Sequence, residues 1–78
     1  MRYQLDLTLR RAEGVLSRVL GTAERRGFSP LSVEGQAPSG GDHWQLRVTV
    51  EGDRSEDALQ QQLAKLYDCL TVQVQACP

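Results

Sequence analysis

The chain has 78 residues, with 9 lysines and arginines against 10 aspartates and glutamates, and a net charge of −1. This length predicts one domain with a small core, since so short a chain buries only about 60% of the surface it exposes when unfolded. The charges nearly cancel and no basic stripe of the kind typical of nucleic-acid binding is evident. No apolar run approaches the roughly 20 residues that span a bilayer.

The sequence holds two cysteines, Cys69 and Cys77, and one histidine, His43. Two cysteines on one short segment form neither the framework of a secreted domain nor a zinc-ligand pattern. We interpret both as reduced thiols, which is typical of the cytoplasm. A partner surface is then the expected additional source of stability.

The first two predicted elements are a strand and a helix. Apolar and polar residues alternate over residues 3–9, which predicts a strand with one buried face. From about Glu13 the apolar residues recur at helical spacing. We expect the helix to end at Arg25 and Arg26, whose charges suit its terminal carbonyls, with Gly27 in the left-handed conformation after it.

A hairpin is predicted next. Leu31 and Val33 indicate a strand that Pro30 restricts to an edge, a bulge or the strand's first residues. Residues 37–42 have the composition of a turn. The alternation over residues 44–50 predicts the second strand of the hairpin.

A second helix and a fourth strand complete the chain. Ser55 is expected to cap the helix. Its apolar stripe is predicted to comprise Ala58, Leu59, Leu63, Leu66 and Tyr67. Leu70, Val72 and Val74 predict the strand, and residues 76–78 are expected to be a frayed tail.

The order of elements predicts an α+β fold of the ferredoxin-like βαββαβ type, as a single domain over residues 1–78. Each helix joins two parallel strands by a right-handed crossover, which gives a four-stranded antiparallel sheet with two helices on one face. The other face is expected to be polar, and either solvated or paired with another chain. Its residues are Gln4, Asp6, Thr8, Gln45, Arg47, Thr49, Thr71 and Gln73.

The residues offer no catalytic constellation. His43 borders a glycine-rich turn, which favours a surface residue over a catalytic base. The acidic residues between positions 53 and 57 begin a helix, where they favour capping. The absence of asparagine disfavours an acylphosphatase-like site. Tyr3 and Trp44 fall in phase with the core, so they are not expected to stack RNA bases on the sheet.

Gly14 stands where the first strand passes into the first helix. Free N–H groups at a helix start attract carboxylates and phosphates, and a glycine lets a ligand or another backbone come close. The alternative is that Gly14 only makes a tight turn. The residues alone therefore predict a small βαββαβ binding or regulatory domain.

Two segments carry a family resemblance: GVLSRVLGTAERRGFSPLSV, residues 14–33, and QLAKLYDCLTVQV, residues 62–74. Over about residues 2–75 the chain resembles the small regulatory subunits of acetolactate synthase, most of all the short isozyme II type. The resemblance implies an ACT domain without cofactors or catalysis of its own. It also implies a large catalytic subunit that this chain activates. That subunit would hold thiamine diphosphate, magnesium and FAD, and condense pyruvate with pyruvate or 2-oxobutyrate in branched-chain amino acid synthesis.

The resemblance further implies a homodimer, formed by sheet or helix pairing, with an amino-acid effector pocket at the interface. In valine-responsive relatives, asparagines usually lie three positions before the loop glycine and two positions after the glycine of the RG pair. Those positions are Arg11 and Ser29 here, and arginine donates hydrogen bonds without accepting any. We therefore predict weak or absent inhibition by valine. The candidate pocket and interface residues are Arg11, Ala12, Glu13, Gly14, Val15, Ser29, Pro30 and Leu31. The alternative function is a free-standing ACT amino-acid sensor with another partner.

Overall fold

The computed structural model describes residues 1–37 and 41–77. Its elements are β1 (Arg2–Arg10), α1 (Val15–Arg25), β2 (Ser29–Gln36), β3 (His43–Glu51), α2 (Glu56–Ala64) and β4 (Cys69–Ala76). The strands form one sheet in the order β2-β3-β1-β4, and every neighbouring pair is antiparallel. The predicted ferredoxin-like βαββαβ fold is confirmed.

The core lies between the helices and the inward face of the two central strands. Leu5, Leu9 and Val48 are fully buried on β1 and β3, and Leu59 and Leu63 on α2. Tyr3 also belongs to this core, whereas Trp44 is half-buried at its border. This core places the polar residues of β1 and β3 on the opposite, open face of the sheet.

The end of α1 follows its predicted capping. Gly27 has a φ of 90°. The Phe28 amide donates to the Ala23 carbonyl at 3.0 Å and the Gly27 amide to Glu24 at 3.1 Å. This pair of bonds is a Schellman motif, which satisfies carbonyls that the helix leaves free. It turns the chain directly into β2.

The edge strand β2 departs from the predicted burial. A bulge between Pro30 and Ser32 leaves Leu31 without a partner on β3. Leu31 is 49% exposed and Val33 46% exposed. The expectation that the helices cover the apolar side chains of all four strands is wrong here, because this strand lies at the sheet's edge.

The other edge strand, β4, also contains a bulge. Thr8 pairs with Thr71 but Leu9 pairs with Cys69, so Leu70 is the extra residue. Cys69 therefore takes the position opposite Leu9, and Leu70 is 37% exposed. The predicted in-phase burial of Leu70 with Val72 and Val74 is wrong because the bulge shifts the alternation.

The second helix is shorter than its predicted stripe. Ser55 caps it as expected, accepting a bond from the Ala58 amide at 3.5 Å. The helix ends at Ala64, so Tyr67 falls in the following turn, where it is 82% exposed. Its assignment to the buried stripe is wrong, and so is that of Ala58, whose side chain is also exposed.

Two of the three residues of the predicted tail, Ala76 and Cys77, lie beside β1. Ala76 belongs to β4, and the Cys77 amide donates to the Arg2 carbonyl at 2.9 Å. Pro78 lies outside the described residues, as do residues 38–40 of the predicted turn. Neither helix in the described part of the chain has the length and apolar content that crossing a bilayer requires.

Candidate functional site

The loop that joins β1 to α1 contains Gly14 in the left-handed conformation, with a φ of 75°. The Gly14 carbonyl accepts the Arg18 amide at 3.0 Å, and the Val15 amide donates to Ala12 at 3.2 Å. No side chain caps the helix at Gly14. Its positive φ explains the glycine, because this conformation places the Cβ of other residues too close to the following carbonyl.

A guanidinium fills the space that the missing Gly14 side chain leaves. A Cβ at Gly14 would lie 3.1 Å from Arg18 Nη1. The same Nη1 donates to the Glu13 carbonyl at 2.9 Å, and Arg18 Nη2 binds the Asp68 carboxylate. The group that approaches the Gly14 backbone closely in this chain is therefore the Arg18 guanidinium.

Arg11 fastens the same loop to the start of β3. Its amide donates to the Asp42 carbonyl at 3.0 Å, and its Nη1 to the Gly41 carbonyl at 3.4 Å. Its guanidinium carbon lies 5.9 Å from the centre of the Trp44 ring, within the range of a cation–π contact. Arg11, Ala12, Gly41, Asp42 and Trp44 line a cavity of about 430 Å³.

The other predicted site segment lies at the opposite end of the sheet. Ser29 pairs with Glu51, whereas Arg10, just before the Gly14 loop, pairs with His43. The two rows are eight residue steps apart along β3, from His43 to Glu51, which is about 27 Å at the usual rise per residue. One chain therefore does not bring the two halves of the predicted pocket together.

The open face of the sheet is polar and internally bonded. Arg47 Nε donates to Asp6 Oδ1 at 3.0 Å, Gln4 Nε2 to Asp6 Oδ2 at 3.1 Å, and Thr8 Oγ1 to Gln45 at 3.3 Å. The Arg47 hydrogen bond holds the pKa of Asp6 below its ordinary value, and the Asp6 partner raises the pKa of Arg47. A concavity of about 720 Å³ crosses this face, so its side chains are accessible. The hydrogen bonds among them hold them in place.

The titratable residues outside these regions form no metal site. Within residues 1–37 and 41–77, no three histidine, cysteine or acidic side chains group closely enough to hold an ion. His43 is exposed as the first residue of β3. Cys69 and Cys77 are free thiols, and burial raises the pKa of Cys69.

Comparison with known proteins identifies the family. An ACT domain profile matches residues 11–72. The small subunit of acetolactate synthase isozyme 2 from Escherichia coli K12 is 34% identical over 74 residues, covering 95% of this chain and 85% of that protein. The chain belongs to the ACT domain family of acetolactate synthase small subunits. The same protein of Shigella flexneri also is 34% identical to this ACT domain, again over 74 residues.

Solved structures of low sequence identity share the fold. The ACT domain of the GTP pyrophosphokinase of Chlorobium tepidum superposes with a TM-score of 0.77 at 10% identity, covering 96% of this chain and 97% of that one. The predicted family and fold are thus both confirmed. The relationship to a small subunit agrees with the prediction that this ACT domain is non-catalytic.

Two features of this ACT domain are not predicted by its sequence pattern: the Arg18–Asp68 ion pair and the exposure of Tyr67. Arg18 and Asp68 form an ion pair although 50 positions separate them. Their only signal was membership of the two resembling segments, since no spacing rule links residues so far apart. Tyr67 was assigned to the core because its position continued the helical period past the true end of α2.

Proposed function

We propose that this chain is the regulatory and activating subunit of an acetolactate synthase and that it binds a large catalytic subunit. The supporting observation is its 34% identity over 95% of its length to a protein named as a small subunit of that enzyme. On this proposal, thiamine diphosphate, magnesium and FAD belong to the catalytic partner. The complex would work in the cytoplasm, where both free cysteines stay reduced.

We further propose that two copies pair through their β2 strands. Within residues 1–37 and 41–77, no strand lies along the outer edge of β2, which carries Leu31 and Val33, 49% and 46% exposed. Exposed apolar side chains on an open edge are typical of strand pairing between chains. Burial of this edge would also stabilise a domain whose own core is small.

Such a dimer would bring the two halves of the effector pocket together. β2 ends at Gln36, which pairs with Gln45 near the Gly14 loop. Antiparallel pairing about a two-fold axis would set Ser29 of the second copy beside this end of β2. The Gly14 loop of one copy and the Ser29 segment of the other would then share one pocket, although they lie far apart within each chain.

Valine is expected to act weakly or not at all on this pocket. The Arg11 side chain already binds the Gly41 carbonyl and lies against Trp44. The Arg18 guanidinium occupies the space beside Gly14. A small zwitterion would have to displace these contacts without an amide side chain at either Arg11 or Ser29 to bind it.

The proposal is tested by reconstitution. The purified chain is added to the acetolactate synthase large subunit of the same genome, and turnover is measured with and without valine. We expect turnover to rise with added chain and to fall by less than about twofold at millimolar valine. A thermal shift with amino acids but no activation of the large subunit would instead favour the free-standing sensor. Strong inhibition at sub-millimolar valine would contradict the valine prediction alone.

A further inference from the structure

Tyr67 is the one strongly exposed aromatic residue within residues 1–37 and 41–77. Tyr3 and Phe28 are 5% and 1% exposed, Trp44 is half-buried, and Tyr67 is 82% exposed. A ring this exposed buries little apolar surface within the fold. Tyrosine is also among the residues that most often dominate the binding energy of protein interfaces.

The turn that carries Tyr67 is held from two sides. The Arg10 amide donates to the Asp68 carbonyl at 2.7 Å, and Arg10 Nε to the Tyr67 carbonyl at 3.4 Å. On the other side, Arg18 of α1 binds the Asp68 carboxylate. Because the backbone of this turn is fixed before any partner arrives, it loses little conformational entropy on binding.

The neighbours of the ring have the composition of a binding anchor. The Arg10 guanidinium carbon lies 5.0 Å from the centre of the Tyr67 ring. Within the described residues, Arg10 pairs with no carboxylate and bonds only a carbonyl. Leu70, exposed by the bulge of β4, follows three residues later. A ring, an unpaired cation and an exposed leucine fit an apolar pocket bordered by a carboxylate.

We propose that Arg10, Tyr67 and Leu70 form the surface that docks the large catalytic subunit, an inference that rests on the function proposed above. This Tyr67 surface lies near β4, the edge strand at the opposite end of the strand order from β2. Pairing of two chains through β2 therefore leaves it free in both.

A second copy of the chain fits the Tyr67 surface poorly. In a two-fold contact the patch meets an identical patch, which adds a second Arg10 cation and brings no acidic group other than Asp68. The adjacent carboxylate of Asp68 is already bound by Arg18 and is not available to neutralise that contact. A different protein whose surface carries an acidic group could neutralise Arg10 without adding a second cation.

The test titrates wild type and variants onto the large subunit and measures the concentration that gives half-maximal activation. Tyr67→Ala is expected to raise this concentration at least about tenfold, as loss of an interface anchor does. Arg10→Glu is expected to raise it as well, and Tyr67→Phe, which keeps the ring, to restore most of the affinity. Gln61→Ala, an exposed change on α2, serves as the neutral control.

Folding and self-association are followed in parallel by thermal melts and light scattering. Tyr67→Ala should melt within a few degrees of wild type, since the ring is exposed. An unchanged activation midpoint for Tyr67→Ala would overturn the inference while leaving the proposed function intact. Loss of the homodimer without loss of activation would assign the surface to a second copy instead, and would overturn the inference too. Failure of the wild-type chain to activate would refute the proposed function itself.

Discussion

Arg18 and Asp68 join the first helix to the turn before the last strand by an ion pair, with side-chain exposures of 48% and 14%. Through the same guanidinium, Arg18 Nη1 binds the Glu13 carbonyl at 2.9 Å. One side chain thus links the Gly14 loop to the turn that presents Tyr67. The candidate effector loop and the proposed docking surface are therefore mechanically connected.

Asp68→Asn is expected to lower the free energy of unfolding by about 1 kcal/mol, because it leaves the Arg18 guanidinium without its partly buried counter-charge. Urea denaturation measures the change. Glu51→Gln is the control, since the Arg2–Glu51 pair is exposed at 65% and 51% and should contribute less. Equal losses for the two variants would contradict a structural role for the Arg18–Asp68 pair.

Gly14→Ala is expected to destabilise the fold by about 1–2 kcal/mol, the cost of holding a non-glycine residue in the left-handed region. Part of the loss should disappear in an Arg18→Ala background, which removes the guanidinium 3.1 Å from the new Cβ. Gly21→Ala, inside α1, should instead be neutral or stabilising by up to about 1 kcal/mol. Thermal unfolding of wild type, the three single variants and the Gly14→Ala/Arg18→Ala double variant checks these signs, and a stabilising Gly14→Ala would contradict the assigned conformation.

The Asp6–Arg47 pair predicts a measurable pH effect. Because the folded-state pKa of Asp6 is lowered chiefly by the Arg47 hydrogen bond, its ionised carboxylate stabilises the fold above the unfolded-state pKa. That stabilisation is lost as the pH falls through the folded-state pKa. Carboxyl-carbon NMR titration should show the Asp6 pKa rising in Arg47→Gln relative to wild type. An unchanged Asp6 pKa in Arg47→Gln would show that the hydrogen bond is absent in solution.

Val33→Lys is expected to weaken the homodimer that we propose through β2, because it places a charge on an edge whose apolar side chains would be buried by pairing. Light scattering over a range of concentrations should show at least a tenfold rise in the dissociation constant. Thr71→Lys on the opposite edge strand is the matched control and should leave the dimer intact. If Thr71→Lys dissociates the dimer and Val33→Lys does not, pairing runs through β4.

The local residue pattern predicts the element order and the central core of this domain. The features that it does not predict depend on contacts between residues far apart in the sequence. Both central strands have neighbouring strands on each side, so the residues that alternate as apolar in the sequence are the ones buried in the structure. At the edges, bulges at Leu31 and Leu70 shift the alternation; Pro30 allowed for the first, whereas no residue pattern indicated the second. The sequence places Gly14 where β1 passes into α1, but the group that fills its space, Arg18, follows from the turn's three-dimensional path and not from spacing.

The two edge strands of the sheet are unlike each other, and this difference bears on how far an assembly could grow. If two copies join through their β2 edges by two-fold symmetry, the β2 edge of each copy is covered by the other. Both outer edges of the combined sheet are then β4 strands. No unsatisfied β2 remains to recruit a third chain, so the contact closes on itself. Assembly through the β2 edge alone would then stop at two chains.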